Sequence, residues 1–74
     1  MCLAIPAKVV SILGEQSVEV ETFGSRTTVS TVLIDPPALA DYVLVHAGFA
    51  IQAIDEQSAL ESLTLWREIY AIGL

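Results

Sequence analysis

The chain has 74 residues, with nine acidic side chains against three basic ones and a formal net charge of −6. That length allows one domain, and its only cysteine, Cys2, rules out an intramolecular disulfide and with it a disulfide-stapled secreted fold. Lys8, Arg26 and Arg67 are scattered, so binding to phosphate backbones is disfavoured, and no apolar run approaches the ~20 residues of a membrane-spanning helix.

The start, Met1 to Pro6, lacks a basic segment and carries a proline where a secretory signal would stay apolar. A cytoplasmic location is expected, and a lone thiol suits that reducing compartment. Ile5 to Leu13 is apolar and β-branched and reads as a first strand, ending at the turn signal Gly14-Glu15-Gln16. Pro6 is expected to stiffen the segment that separates the terminal tip from this strand. Ser17 to Thr22 alternates, with Val18 and Val20 on one side and Glu19 and Glu21 on the other, as in a half-buried strand. Phe23-Gly24-Ser25 predicts a tight turn. Arg26 to Leu33, rich in Thr and Val, predicts a third strand, which Asp35-Pro36-Pro37 stops.

After a surface loop to about Ala40, Tyr42 to His46 reads as a fourth strand and Phe49 to Ile54 as a fifth. Gly48 between them suggests a bulge or sharp bend that lets the sheet curl into a barrel. Asp55 is a suitable N-cap, with Glu56 in the first turn of a helix over about 56–71. Ala59, Leu63, Trp66 and Tyr70 form its apolar stripe, Glu61, Thr64 and Glu68 its solvated side, and Gly73 its stop. Mainly β, with about five short strands and one terminal helix in a single domain over 1–74, the chain fits a small OB-like β-barrel. The helix either packs on the barrel or projects toward a partner.

Apolar residues make up 54% of the chain, slightly above the ~45–50% common in globular proteins. The excess fits either a small core or an apolar surface kept for a protein partner. Catalytic motifs are nearly absent: there is no phosphate-binding glycine loop, no nucleophile elbow, no H-E-x-x-H and no C-x-x-C. Cys2 and His46 remain. Removal of Met1 would leave Cys2 with a free α-amino group beside its thiol. That ammonium favours the thiolate, a soft ligand for iron or Cu(I). Cys2 is otherwise a small hydrophobe at a strand start. His46 shares a strand face with Tyr42 and Leu44, and is either a hydrogen-bonded structural residue or a ligand. If the barrel closes, the first and fourth strands become neighbours and Cys2 approaches His46. One Cys and one His are too few for a closed metal site, so the chemistry fits a shared or transient one.

The opening Met1-Cys2-Leu3-Ala4-Ile5-Pro6, with Val45-His46-Ala47-Gly48-Phe49-Ala50-Ile51, resembles the HypC/HupF/HybG family of hydrogenase maturation chaperones across essentially the whole chain. The resemblance implies a non-enzymatic scaffold that pairs with an iron–sulfur protein, HypD, and holds iron as an Fe(CN)2CO unit. The cyanide is made by the HypE–HypF pair, and the unit is passed to the precursor of the nickel–iron hydrogenase large subunit. It carries the essential iron and partner contact to Cys2 and a supporting role to His46. Partner contacts are implied at Cys2, Leu3, Ile5, Pro6, His46 and Phe49. Ala47 stands where a valine is common in that family. The alternatives are an acidic OB-type protein-interaction module without metal and a thiol enzyme using Cys2 and His46. The latter lacks any visible oxyanion donors.

Overall fold

A computed structural model describes the backbone of residues 4–73 and the side chains of residues 4–69. Strands β1 (Ile5–Gly14), β2 (Ser17–Thr22), β3 (Ser25–Ser30), β4 (Tyr42–His46) and β5 (Phe49–Ile54) precede one helix, α1 (Glu56–Gly73). The strands close into a barrel in the order β1-β2-β3-β5-β4, so the expected five-stranded, OB-like barrel with a C-terminal helix is what the chain forms.

Inward-facing residues are small and β-branched. Ala7, Val9, Val18, Val20, Val29, Val43 and Ala50 form one core, with Ile34 and Val45 packed against it. Valine suits this role because its branched side chain is stiff and packs well on a pleated surface. β1 is the longest strand, with ten residues. Its first part pairs with β4, Ile5 opposite Val45 through Lys8 opposite Tyr42, and its second part pairs with β2. Two register shifts on the β2 side, between Val9 and Ser11 and between Ile12 and Gly14, bend β1 far enough to serve both neighbours.

Closure is narrow. β3 and β5 meet in parallel at Ser30 opposite Phe49, where the Ser30 amide donates to the Gly48 carbonyl at 3.0 Å. The third strand stops at Ser30, short of the expected Leu33. The physical reason is that its partner runs out: the Thr31 amide follows the β2–β3 register to the Gln16 carbonyl at 2.9 Å, but Gln16 already lies in the turn before β2, and the Ile34 amide folds back on the Thr31 carbonyl. Val32 and Leu33 consequently project into solvent, at 49% and 62% exposure.

Gly48 does not bulge a continuing strand. Ala47 and Gly48 both have positive φ, 53° and 85°, and form a two-residue reversal that makes β4 and β5 an antiparallel hairpin. Phe23 and Gly24, at 51° and 81°, build the β2–β3 turn in the same way. The irregularity of the β4–β5 pair lies further along, where Leu44 faces Gln52 but Val45 faces Ala50, leaving Ile51 as the extra residue.

Helix α1 starts as its sequence signals. The Asp55 carboxylate accepts from the Ser58 backbone amide at 2.9 Å and from the Ser58 hydroxyl at 2.8 Å, which satisfies an otherwise orphaned donor of the first turn. These bonds hold the Asp55 carboxyl below the usual aspartate range, the Ser58 amide contributing most. The helix packs along β1 and β4, with Ala59 fully buried and Leu63 and Trp66 half-buried, while Glu61, Thr64 and Glu68 are exposed. The Tyr70 side chain lies outside the described residues. No helix among the described residues is long and apolar enough to cross a membrane.

Candidate functional site at the mouth of the barrel

The pole of the barrel where β1 begins gathers most of the residues singled out in the sequence. Ile5 stands opposite Val45, Pro6 opposite Leu44, and, across the Ala47-Gly48 turn, Phe49 opposite His46. Four of the six expected contact residues, Ile5, Pro6, His46 and Phe49, thus lie at the adjoining ends of β1, β4 and β5. Cys2 and Leu3 lie outside the described residues.

Pro6 sits inside β1 rather than ahead of it, which corrects its expected role as a spacer before the strand. The ladder explains why a proline is tolerated. The Val9 amide donates toward β4, to the Asp41 carbonyl at 2.8 Å. Alternation therefore turns the amide position of Pro6 toward β2, where pairing begins only at Lys8 opposite Glu21. No ladder bond is lost. The Pro6 carbonyl, on that same side, accepts the Thr22 hydroxyl at 2.9 Å. The Pro6 side chain is fully buried.

Strand alternation separates Val45 from His46. Val45 packs against the core, whereas His46, half-buried, lies on the outer face with Tyr42 and Leu44. Phe49 is 42% exposed and offers an apolar ring beside the imidazole's strand. Among the described residues no three His, Cys, Asp or Glu side chains converge as a metal site. A closed metal site at this pole would need ligands from outside that set.

A cleft of about 170 Å³ opens at this mouth, lined by Ile5, Ala7, Val20, Thr22, Ser25, Arg26, Thr27 and Val45. It exists because β3 touches β5 only near Ser30, so the Ser25 half of β3 stands apart from β4. Arg26 is tied to this strand pair by Glu21, at 3.3 Å from its Nε, and by Glu19, at 3.9 Å from Nη1. Sequence reading missed the cleft, although alternation carried a signal. Along the inner faces, Val18 and Val20 give way to Thr22, and Val29 gives way to Thr27 and Ser25.

The fold places the chain among small OB-like barrels with a terminal helix, and its pole combines a half-buried histidine with the end of β1 that leads to Cys2. The chain belongs to the HupF/HypC family, whose model matches residues 1–66. It is similar to the hydrogenase maturation factor HypC of Azotobacter chroococcum mcd 1, at 42% identity over 93% of this chain and 82% of that protein. The HypC of Cupriavidus necator is also 42% identical, over 93% of this chain and 77% of its own. The hydrogenase maturation factor HybG of Escherichia coli K12 is 38% identical, over 93% of this chain and 92% of its own.

Proposed function

We propose that this protein is a hydrogenase maturation chaperone, working in the cytoplasm and not itself an enzyme. It helps assemble an Fe(CN)2CO unit together with a HypD-type iron–sulfur protein. It then delivers that unit to the precursor of the nickel–iron hydrogenase large subunit. The iron is cargo, held in passing and shared with the partner.

The observation that carries this reading, beside family membership, is the antiparallel β1–β4 pairing. It brings the chain leading to Cys2 alongside the strand that ends in His46. A thiolate is a soft ligand for iron, and an incomplete ligand set lets the iron leave again. Exposed Phe49 provides apolar area for the partner at the same pole.

The test is a Cys2→Ala variant in cells lacking any paralogous chaperone. The purified variant should keep the wild-type fold by circular dichroism, and hydrogenase maturation should fail. Active hydrogenase in those cells would overturn the proposal. If maturation persists while the variant still binds its protein partners, the metal-free interaction module becomes the better description.

A further inference from the structure

We propose that the apolar surface around Leu33, across the β3–β5 joint from the mouth cleft, docks a protein partner that presents apolar side chains ringed by lysine or arginine. This surface is separate from the pole assigned to iron, and it stands whether or not iron is carried there.

Two open clefts adjoin on this side of the barrel. One, of about 570 Å³, is lined by Val32, Leu33, Ile34 and Ile51, with Asp35 among them. The other, of about 560 Å³, is lined by Ile12, Ile34 and Pro36, with Glu15 beside them. Ile34 belongs to both. Ile12, Val32, Leu33 and Ile51 are large apolar side chains left exposed. Single apolar residues on a surface are ordinary, whereas a contiguous group marks an interaction surface. Ile51 is the extra residue of the β4–β5 irregularity, and a bulge of this kind re-aims a side chain.

The surface is held ready for a partner. Thr31 is buried, and its amide donates to the Gln16 carbonyl at 2.9 Å. The Val32 amide donates to the Ser30 hydroxyl at 3.4 Å. The Ile34 amide donates to the Thr31 carbonyl at 3.2 Å, and its side chain packs against the core. Val32 and Leu33 thus ride on a turn fastened at both ends. Pro36 and Pro37 restrict the chain that follows. A segment already ordered loses little freedom on binding, which favours association.

Charge selects the occupant. Glu15 and Asp35 are exposed carboxylates lining the two clefts. Lys8, Arg26 and Arg67 are the three basic residues of the chain, and none of them lines either cleft. Arg26 is paired with Glu19 and Glu21, and Arg67 lies 5.7 Å from the centre of the Phe23 ring. The charged part of the lining is therefore acidic alone, in a chain of net charge −6. A basic rim on the partner complements it, whereas a second copy would bring like charges together.

The experiment titrates the isotope-labelled full chain with a short synthetic peptide of alternating lysine and leucine, and with its glutamate–leucine counterpart, followed by amide chemical shifts. The lysine peptide should shift the amides of Ile12, Val32, Leu33 and Ile51, and added salt should weaken its binding. Leu33→Ser should keep the fold, because Leu33 is exposed, and should weaken binding by about tenfold, as truncation of an apolar anchor commonly does. Leu65→Ser is the control. Leu65 is equally exposed on the outer side of α1, which carries Glu61 and Glu68, and its loss should leave affinity unchanged. Absence of shifts with the lysine peptide, equal binding of the glutamate peptide, or shifts centred on α1 would each overturn the proposal. Self-association of the peptide-free chain that Leu33→Ser abolishes would overturn it too, and would assign the surface to a second copy.

Discussion

Ile5 stands directly opposite Val45 in the antiparallel β1–β4 pair. One step beyond Val45 is His46, and three residues before Ile5 is Cys2. Ile5 and Val45, forty residues apart in sequence, thereby belong to one pole of the barrel. A barrel needs its first strand to find a late neighbour, and closure supplies one.

His46→Gln tests the imidazole's part in that pole. His46 is half-buried on the outer face, away from the valine core, so the barrel should still fold. If the imidazole touches or orients the iron site, retention of iron by the partner complex should weaken by about 10–100-fold, as is common when supporting groups of metal sites are removed. Iron content after dialysis against a chelator measures this. Retention equal to wild type would make His46 purely structural.

The β4–β5 turn makes an opposite pair of stability predictions. Ala47 has φ 53°, a left-handed conformation that costs a non-glycine residue about 1–2 kcal/mol. Ala47→Gly relieves that strain and should raise the melting temperature by several degrees, since ~1 kcal/mol is worth about 4–8 °C in a domain of this size. Gly48, at φ 85°, has open space where a Cβ would stand, so its cost on substitution is conformational. Gly48→Ala should lower the melting temperature and loosen the Ser30–Gly48 bond that closes the barrel. Amide exchange at Ser30 reports the second effect.

Asp55 gives the helix a pH dependence. Its carboxyl titrates below the usual aspartate value because the Ser58 amide and then the Ser58 hydroxyl stabilise the ionised form. The folded state therefore binds fewer protons than the unfolded one as pH falls through about 3.9, the ordinary aspartate value. The contribution is full above that value and disappears as pH drops through the lower folded value. Helical ellipticity should fall in that acid window in wild type, and Asp55→Ala should start with a weaker helix and lose this part of the dependence. A variant with the same acid profile as wild type would remove the capping role.

Core truncation should be costly. Val43 is 0% exposed, and full burial of a valine is worth about 1.5–3 kcal/mol. Total stability for small domains is of order 0.05–0.15 kcal/mol per residue, so Val43→Ala should remove a large share of it. Denaturant melts measure the loss, and a midpoint unchanged from wild type would contradict the packing described here.

Much of this architecture was legible in the sequence because its signals are local. Alternation in Ser17 to Thr22, the Phe23-Gly24 turn and the Asp55 cap each depend on neighbours a few residues away. The end of β3 was not legible, because Thr31 to Leu33 keeps a strand's composition while the partner strand β2 begins only at Ser17 and the Ile34 amide turns back on the Thr31 carbonyl. Of the bulge or sharp bend expected at Gly48, the structure makes a tight two-residue reversal, a turn less legible because an alanine, not asparagine or aspartate, precedes the glycine. The site was legible in part. His46 and the Cys2 end were singled out from chemistry and resemblance, whereas the mouth cleft depends on how little of β3 meets β5.

Joint capture of iron by Cys2 and a second protein is tested most directly on the complex with the iron–sulfur partner, by assaying iron and recording cyanide and carbonyl infrared bands for wild type and Cys2→Ala. Wild type is expected to carry iron with both sets of bands, and Cys2→Ala to form the complex without them. Full iron and unchanged bands in Cys2→Ala would contradict a ligating role for this sulfur.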